Sequence, residues 1–231
     1  MKKYKYLSLI LAIIIFVSFY ISWTIIVLKG YTQNIDNNVF NYFTSIRGEK
    51  GNFVYYFFRI ITEFGYTYAI VIGVLIILII NKGNLLSLML SVGMGLGSLY
   101  NELIKMAYGR QRPEESYRWM VENSYSYPSG HSSVSTILYG SLIILIIKSK
   151  MNKRIKIPFI ILFIAIPILI YISRLVLSVH WFSDIIGGIT NGFMFLSISL
   201  LIYEIISDKT GFDGFKPFIE KKLNKNKIEN A

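Results

Sequence analysis

The chain holds 231 residues, of which 54% are hydrophobic and 16% charged, with a formal net charge of +11 and a mean hydropathy of +0.52. A soluble domain carries more charge than this, and its apolar residues recur singly at helix or strand spacing; here they fall in blocks near the ~20 residues that cross a hydrocarbon core, which excludes an ordinary soluble fold. The absence of cysteine excludes a disulfide framework and a thiolate metal site, and the positive charge does not mark a nucleic-acid binder, because the basic residues mostly flank the apolar blocks.

The first block runs from Leu7 to Leu28 behind Lys2, Lys3 and Lys5. A cleavable signal would have a shorter apolar core and small residues at its end, so this block reads as an uncleaved spanning helix. Further blocks fall at Tyr66–Ile80, Leu85–Ile104, Ser133–Ile147, Ile157–Ile172 and Ile185–Ile206. The expected fold is all-α, a polytopic membrane bundle of six transmembrane helices over residues 1–208, followed by a basic cytoplasmic tail at 209–231. Between the first two spans, Tyr31–Gly65 is mixed in character, and Val39, Phe40, Phe43 and Ile46 are spaced for one apolar helix face. That pattern fits an interfacial helix lying on the bilayer, and an ordinary amphipathic loop helix has the same spacing. Glycines at 93, 95 and 97 follow no strand and so make no nucleotide loop; with Gly188 and Gly192 they read as sites of close helix packing.

With the N-terminus inside, fifteen basic residues fall on inner segments and nine on outer ones. Both termini are therefore expected in the cytoplasm of a bacterial cell membrane. Several outer cations have acidic neighbours, but Arg112 and Arg174 sit at span ends without one and call for another explanation.

Three polar clusters interrupt the apolar pattern, all at outer ends of spans: Lys105 to Arg112-Pro113, then Pro128-Ser129-Gly130-His131, then Ser173-Arg174 with His180 and Asp184. Lys105, Arg112 and Arg174 are fixed cations, and a guanidinium matches phosphate oxygens bidentately. Ser129 and Gly130 stand where a helix begins, so backbone N–H groups and the helix dipole favour an anion there. His180 and Asp184, four apart, share a face of a helix or helical turn, so the carboxylate can hold one ring nitrogen and leave the other free to attack. His131 supplies a second proton-transfer group. Each of these residues alone has an ordinary reading as a snorkelling cation, a turn or an interfacial side chain. Their coincidence carries the argument, because the only two histidines in the chain both fall in these clusters, on one expected side of the membrane.

The pattern Lys105-x6-Arg112-Pro113, Pro128-Ser129-Gly130-His131 and Ser173-Arg174-x5-His180-x3-Asp184 resembles the signature of the type 2 phosphatidic acid phosphatase family, in its membrane-bound bacterial branch. The resemblance implies a lipid phosphatase acting at the outer face through a phosphohistidine. Lys105, Arg112, Ser129, Gly130 and Arg174 would hold the phosphoryl oxygens. His180 would be the nucleophile, Asp184 its orienting group, and His131 the acid for the leaving group and then the base for water. The choice of His180 over His131 as nucleophile leans partly on the family, and Ser173 belongs to the pattern without an assigned role. No cofactor and no metal is expected, and the partners are the bilayer and a membrane lipid. Undecaprenyl pyrophosphate is the favoured substrate for its good leaving group, ahead of phosphatidylglycerophosphate and phosphatidic acid. A non-enzymatic lipid or anion transporter would use the same cations but has no need of a His-x3-Asp pair. Vanadium-dependent haloperoxidases share the constellation by family resemblance, but they are soluble.

Overall fold

The structure, a computed structural model, describes residues 2–81 and 83–211, so most of the expected tail lies outside the described residues. Every regular element among them is helical: α1 (Lys2–Leu28), α2 (Gln33–Ile46), α3 (Phe53–Glu63), α4 (Thr67–Ile80), α5 (Leu85–Tyr108), α6 (Gly130–Lys148), α7 (Lys153–Val176) and α8 (Phe182–Thr210), with a short 3-10 turn at Glu115–Tyr117. Each of the six apolar blocks coincides with a helix, and all of these helices but α4, which starts one residue later at Thr67, run slightly past their block. The extra residues are polar ends, invisible to an apolar count; Asn152 caps one of them by accepting from the Arg154 N–H (2.9 Å), while Asn84 fixes the start of α5 at Leu85 by accepting from the Ser87 N–H (2.8 Å). α5 ends at Gly109, whose φ of 59° lets its N–H return to the Lys105 carbonyl.

Among the described residues four helices, α1, α6, α7 and α8, are long and apolar enough to cross a membrane. α4 has only 14 residues, about 21 Å at 1.5 Å per residue, short of a ~30 Å hydrocarbon core. α5 has 24 residues but carries Asn101, Glu102 and Lys105 in its last two turns. The outward faces of α1 and α7, among them Ile14, Ile15, Ile161 and Ile164, remain exposed and apolar, as hydrocarbon contact requires.

α8 is the centre of the bundle and packs on α1, α5 and α6. Gly188 and Gly192 permit that approach. A Cβ on Gly188 would collide with the Ser129 carbonyl, and one on Gly192 with Thr136. Gly93 and Gly97 make close contacts as expected, whereas Gly95 faces open space and its expected packing role is not met. Beneath the site, Ile77, Leu90, Met94, Ile137 and Ile170 form the buried core.

The segment between α1 and α4, expected as an interfacial helix or an ordinary amphipathic loop helix, is more than a single helix. It forms two helices, α2 and α3. The face of α2 expected to meet lipid turns partly inward: Phe40 packs on Tyr117 and Trp181, and Phe43 joins the cluster around Trp119 and Leu177. A covering loop crosses here, and apolar periodicity cannot tell protein from lipid as the partner of a face. Arg47, just past α2, fixes the contact by donating to the Val176 carbonyl (2.8 Å), Ser178 Oγ (2.7 Å) and the Tyr117 carbonyl (2.8 Å).

Candidate active site

The three polar clusters meet at one end of the bundle, around a cavity of about 360 Å³ whose wall includes Lys105, Arg112, Glu122, Gly130, His131 and His180. Lys105 arrives on the last turn of α5, and Arg112 on the loop that follows. Gly130 and His131 open α6, and His180 lies in the corner between α7 and α8. The loop is tied to that corner at its ends, with the Trp119 N–H donating to the Leu177 carbonyl and Arg112 Nη1 to the Val179 carbonyl (2.6 Å).

His180 precedes α8, and Asp184 sits in its first turn. The shared helix face expected from their spacing is therefore made by a helix corner, with Nδ1 of His180 3.4 Å from Oδ2 of Asp184. On the other side of the ring, Arg112 Nη1 lies 3.1 Å from Nε2. A guanidinium can only donate, so Nε2 presents its lone pair and Nδ1 carries the proton. This is the tautomer a nitrogen nucleophile requires. Burial, then the charges of Arg112 and Arg174, hold the imidazole well below its ordinary pKa. His131 faces the same cavity, its ring edge-on to Tyr66 with centroids 4.5 Å apart, and its Nε2 has no partner among the described residues.

The Asp184 carboxylate is fixed from several directions. Oδ2 accepts from Ser126 Oγ (2.5 Å) and the Trp181 N–H (2.8 Å), while Oδ1 accepts from Arg110 Nη1 (2.5 Å). Arg110 Nη2 reaches Asp36 of α2 at 2.8 Å, and Asp36 in turn accepts from the Ser183 N–H (2.8 Å) and hydroxyl (2.7 Å). Burial opposes the charge of Arg110, but Asp184 and Asp36 outweigh it and raise its pKa.

The cations expected to take phosphate are present and already hold an anion. Arg174, fully buried, donates through Nη2 to Glu122 and through Nη1 to Thr62 of α3 (2.6 Å), leaving its Nε unpartnered among the described residues. Arg112 Nη2 lies 3.6 Å from the second Glu122 oxygen. Burial works to raise the pKa of Glu122, yet Arg174 and Arg112 hold it below the usual carboxylate value. Burial also lowers Arg112 to about 10, which leaves it charged at neutral pH. Lys105 pairs with Glu102 and lies 3.4 Å from Ser124 Oγ.

One residue of the expected site stands apart from the cavity, and Ser173, left without a role, finds a local one. Ser129 is not on the cavity wall: its hydroxyl caps α6 and its backbone N–H donates to the Asp184 carbonyl (3.0 Å), so Gly130 is the member of the pair that borders the cavity. Ser173 donates to the Ile170 carbonyl within its own helix (2.6 Å), a structural back-bond. Sequence reasoning passed over Glu122, Ser126, Arg110 and Asp36. Arg110 lies inside the first polar cluster and was legible as a cation, but no local pattern marks its partner 74 residues upstream.

A family model described as the PAP2 superfamily matches residues 85–208. Phosphatidylglycerophosphatase B of Bacillus subtilis (strain 168) is 31% identical over 121 residues, 52% of this chain and 54% of that protein, so the chain spans about half the length of this relative. An uncharacterized protein of Methanocaldococcus jannaschii is 27% identical over 172 residues, covering 70% of this chain and 67% of the other. The fold is similar to the crystal structure of a transmembrane PAP2 type phosphatidylglycerolphosphate phosphatase from Bacillus subtilis, with a TM-score of 0.71 and 24% identity over 88% of this chain and 98% of that one.

Proposed function

Because the chain belongs to the PAP2 superfamily, we propose that it is an integral membrane lipid phosphatase working through a phosphohistidine. The observation that carries this reading is His180, neutral and held between Asp184 and Arg112, with its unprotonated Nε2 turned toward the guanidinium that would bind the phosphate, in one cavity with a second histidine. A terminal phosphate displaces Glu122 and takes the guanidinium groups of Arg112 and Arg174, with Lys105 and the α6 N-terminus at Gly130 on its remaining oxygens. His180 Nε2 forms the N–P bond as the ester P–O bond breaks, and His131 protonates the departing oxygen. Water then attacks the phosphohistidine, giving its proton to His131 and releasing inorganic phosphate and free His180. Ser129 serves by capping α6 and fixing its N-terminus beside Asp184.

The chemistry needs no metal, since both histidines have roles and the Asp184 carboxylate already accepts from Arg110, Ser126, Trp181 and His180. Purified protein is expected to release phosphate from lipid phosphates in EDTA and to be inhibited by vanadate, a mimic of five-coordinate phosphorus. Loss of activity on chelation, restored by a divalent ion, would falsify the metal-free route. Two lipids have separate support: undecaprenyl pyrophosphate through its leaving group, and phosphatidylglycerophosphate through the name of the Bacillus relative.

In this reading α4 and α5 join α1, α6, α7 and α8 as six spans, the short α4 crossing where the bilayer thins locally to meet it, with both termini cytoplasmic and the site outside. The excess of basic residues on the inner segments supports that orientation. The exposed Tyr42, Ile46, Phe53, Tyr56, Phe57 and Ile60 of α2 and α3 then rest at the lipid interface. Single cysteines introduced at Ser116 and Asn152 test this on a cysteine-free background. Ser116→Cys should react with an impermeant thiol reagent on intact cells, and Asn152→Cys only after permeabilisation. The opposite labelling would put the site in the cytoplasm.

A further inference from the structure

The cavity has a polar wall that the phosphate chemistry leaves unused. Asn101 and Ser98 of α5 both line it, four and seven residues before Lys105. Asn101 is 1% exposed, yet neither its amide nitrogen nor its oxygen has a partner among the described residues, and the same holds for Ser98 Oγ. Leaving a buried carboxamide unbonded forfeits the hydrogen bonds it would make to water, with nothing in return. Such a group is retained at a cavity wall where something arrives to bond it. Its direction is marked by Gly130, where a Cβ would lie 3.4 Å from Asn101 Oδ1 and 3.5 Å from Lys105 Nζ. The amide therefore borders the space in front of the α6 N-terminus, beside the lysine.

Spacings of four and seven residues put Ser98, Asn101 and Lys105 on one face of α5. At 1.5 Å per residue, Asn101 stands about 6 Å and Ser98 about 10 Å along the axis from Lys105, on the side away from the loop that carries Arg112. A lipid whose terminal phosphate sits at Lys105 and His180 extends its head along this face before its chains reach Leu99 and Val134, the apolar part of the same wall.

We propose that Asn101 and Ser98 form a headgroup subsite that selects lipids whose polar head continues about 10 Å beyond the scissile phosphate, in the chemical class of phosphorylated polyol heads. This rests on the phosphatase reading above. A carboxamide offers two donors and an acceptor, and a serine hydroxyl offers both. A glycerol hydroxyl satisfies the Asn101 oxygen as donor, and phosphodiester oxygens accept from the Asn101 amide and from Ser98. The isoprenoid tail of a prenyl diphosphate starts one phosphate further on; it has no hydroxyl for the amide oxygen and sets hydrocarbon against Ser98. A site built to bond a hydroxyl discriminates strongly against a ligand that lacks one.

The test is the ratio of kcat/KM for phosphatidylglycerophosphate to that for undecaprenyl pyrophosphate, measured in matched mixed micelles. This ratio is independent of the fraction of enzyme that is correctly folded. The wild-type chain should favour the glycerophosphate lipid. Asn101→Leu should lower the ratio about tenfold, roughly 1.4 kcal/mol in transition-state binding, and Ser98→Ala should lower it several-fold. A wild-type preference for the prenyl diphosphate, or ratios unchanged within twofold in both variants, overturns the subsite. Absence of phosphate release from any lipid by the wild-type protein sinks the phosphatase reading and the subsite with it, and is distinguished by inactivity toward both substrates.

Discussion

We expect His180→Ala to lower kcat by a factor on the order of 10⁴ or more, because it removes the atom that forms the bond to phosphorus and leaves only the binding cations. Arg112 and Arg174 are untouched by the change, so vanadate or phosphate lipid should still bind, and KM or Ki should move far less than kcat. The same residue sets a pH dependence. The imidazole must be neutral to attack, and burial together with Arg112 and Arg174 depresses its pKa below the usual value near 6.5. The neutral form is therefore lost only as pH falls through that lowered value, so kcat/KM should not decline in the range where an ordinary histidine protonates. Near-normal activity in the alanine variant would refute the mechanism, and an acid limb centred at or above the ordinary imidazole value would refute the account of its environment.

The second large effect belongs to Arg110, which the family signature does not include. It stands between two carboxylates, Asp36 at 2% exposure and Asp184 at 0%. Arg110→Met leaves both buried without their cation, a change that costs about 3–5 kcal/mol in comparable buried pairs. Melting temperature in detergent should fall. In the folded fraction kcat should drop on the order of 100-fold with KM little changed, since Asp184 positions His180 and does not meet the substrate. Arg110→Lys should recover only part of the loss, because one ammonium cannot reproduce a fork that reaches Asp184, Ser183 and Asp36 together. Wild-type kcat in Arg110→Met would mean that Asp184 needs no such support.

The helices were legible because apolar runs of membrane length are few in kind, and the cap residues Ser129 and Asn152 account for where the structure extends α6 and α7 at their starts. The candidate constellation was legible because its members lie close together within each cluster. Interactions that join distant segments escaped. Glu122 reads as one acid among several in an outer loop until Arg174, 52 residues on, is seen to hold it. Aromatic residues of the same loop are ambiguous in composition. Tyr117, Trp119, Tyr125 and Tyr127 all suit the headgroup level by composition, and Tyr117 and Tyr125 are exposed. Trp119 and Tyr127 are instead buried, the first under the Arg47 guanidinium at 4.3 Å and the second bonded to Thr24 at 2.7 Å.

Asp36, Arg47 and Thr62 all come from the stretch ahead of α4, outside the region the family model matches, and each grips a residue or corner of the site: Arg110 and Ser183, the turn at Val176–Ser178, and Arg174. A fragment trimmed to residues 85–208 would keep every signature side chain and lose these three anchors. For expression, domain grafting or the transplanting of this site into another scaffold, the smallest portable unit therefore begins no later than α2, and the signature alone marks where the chemistry is without marking how much chain is needed to hold it.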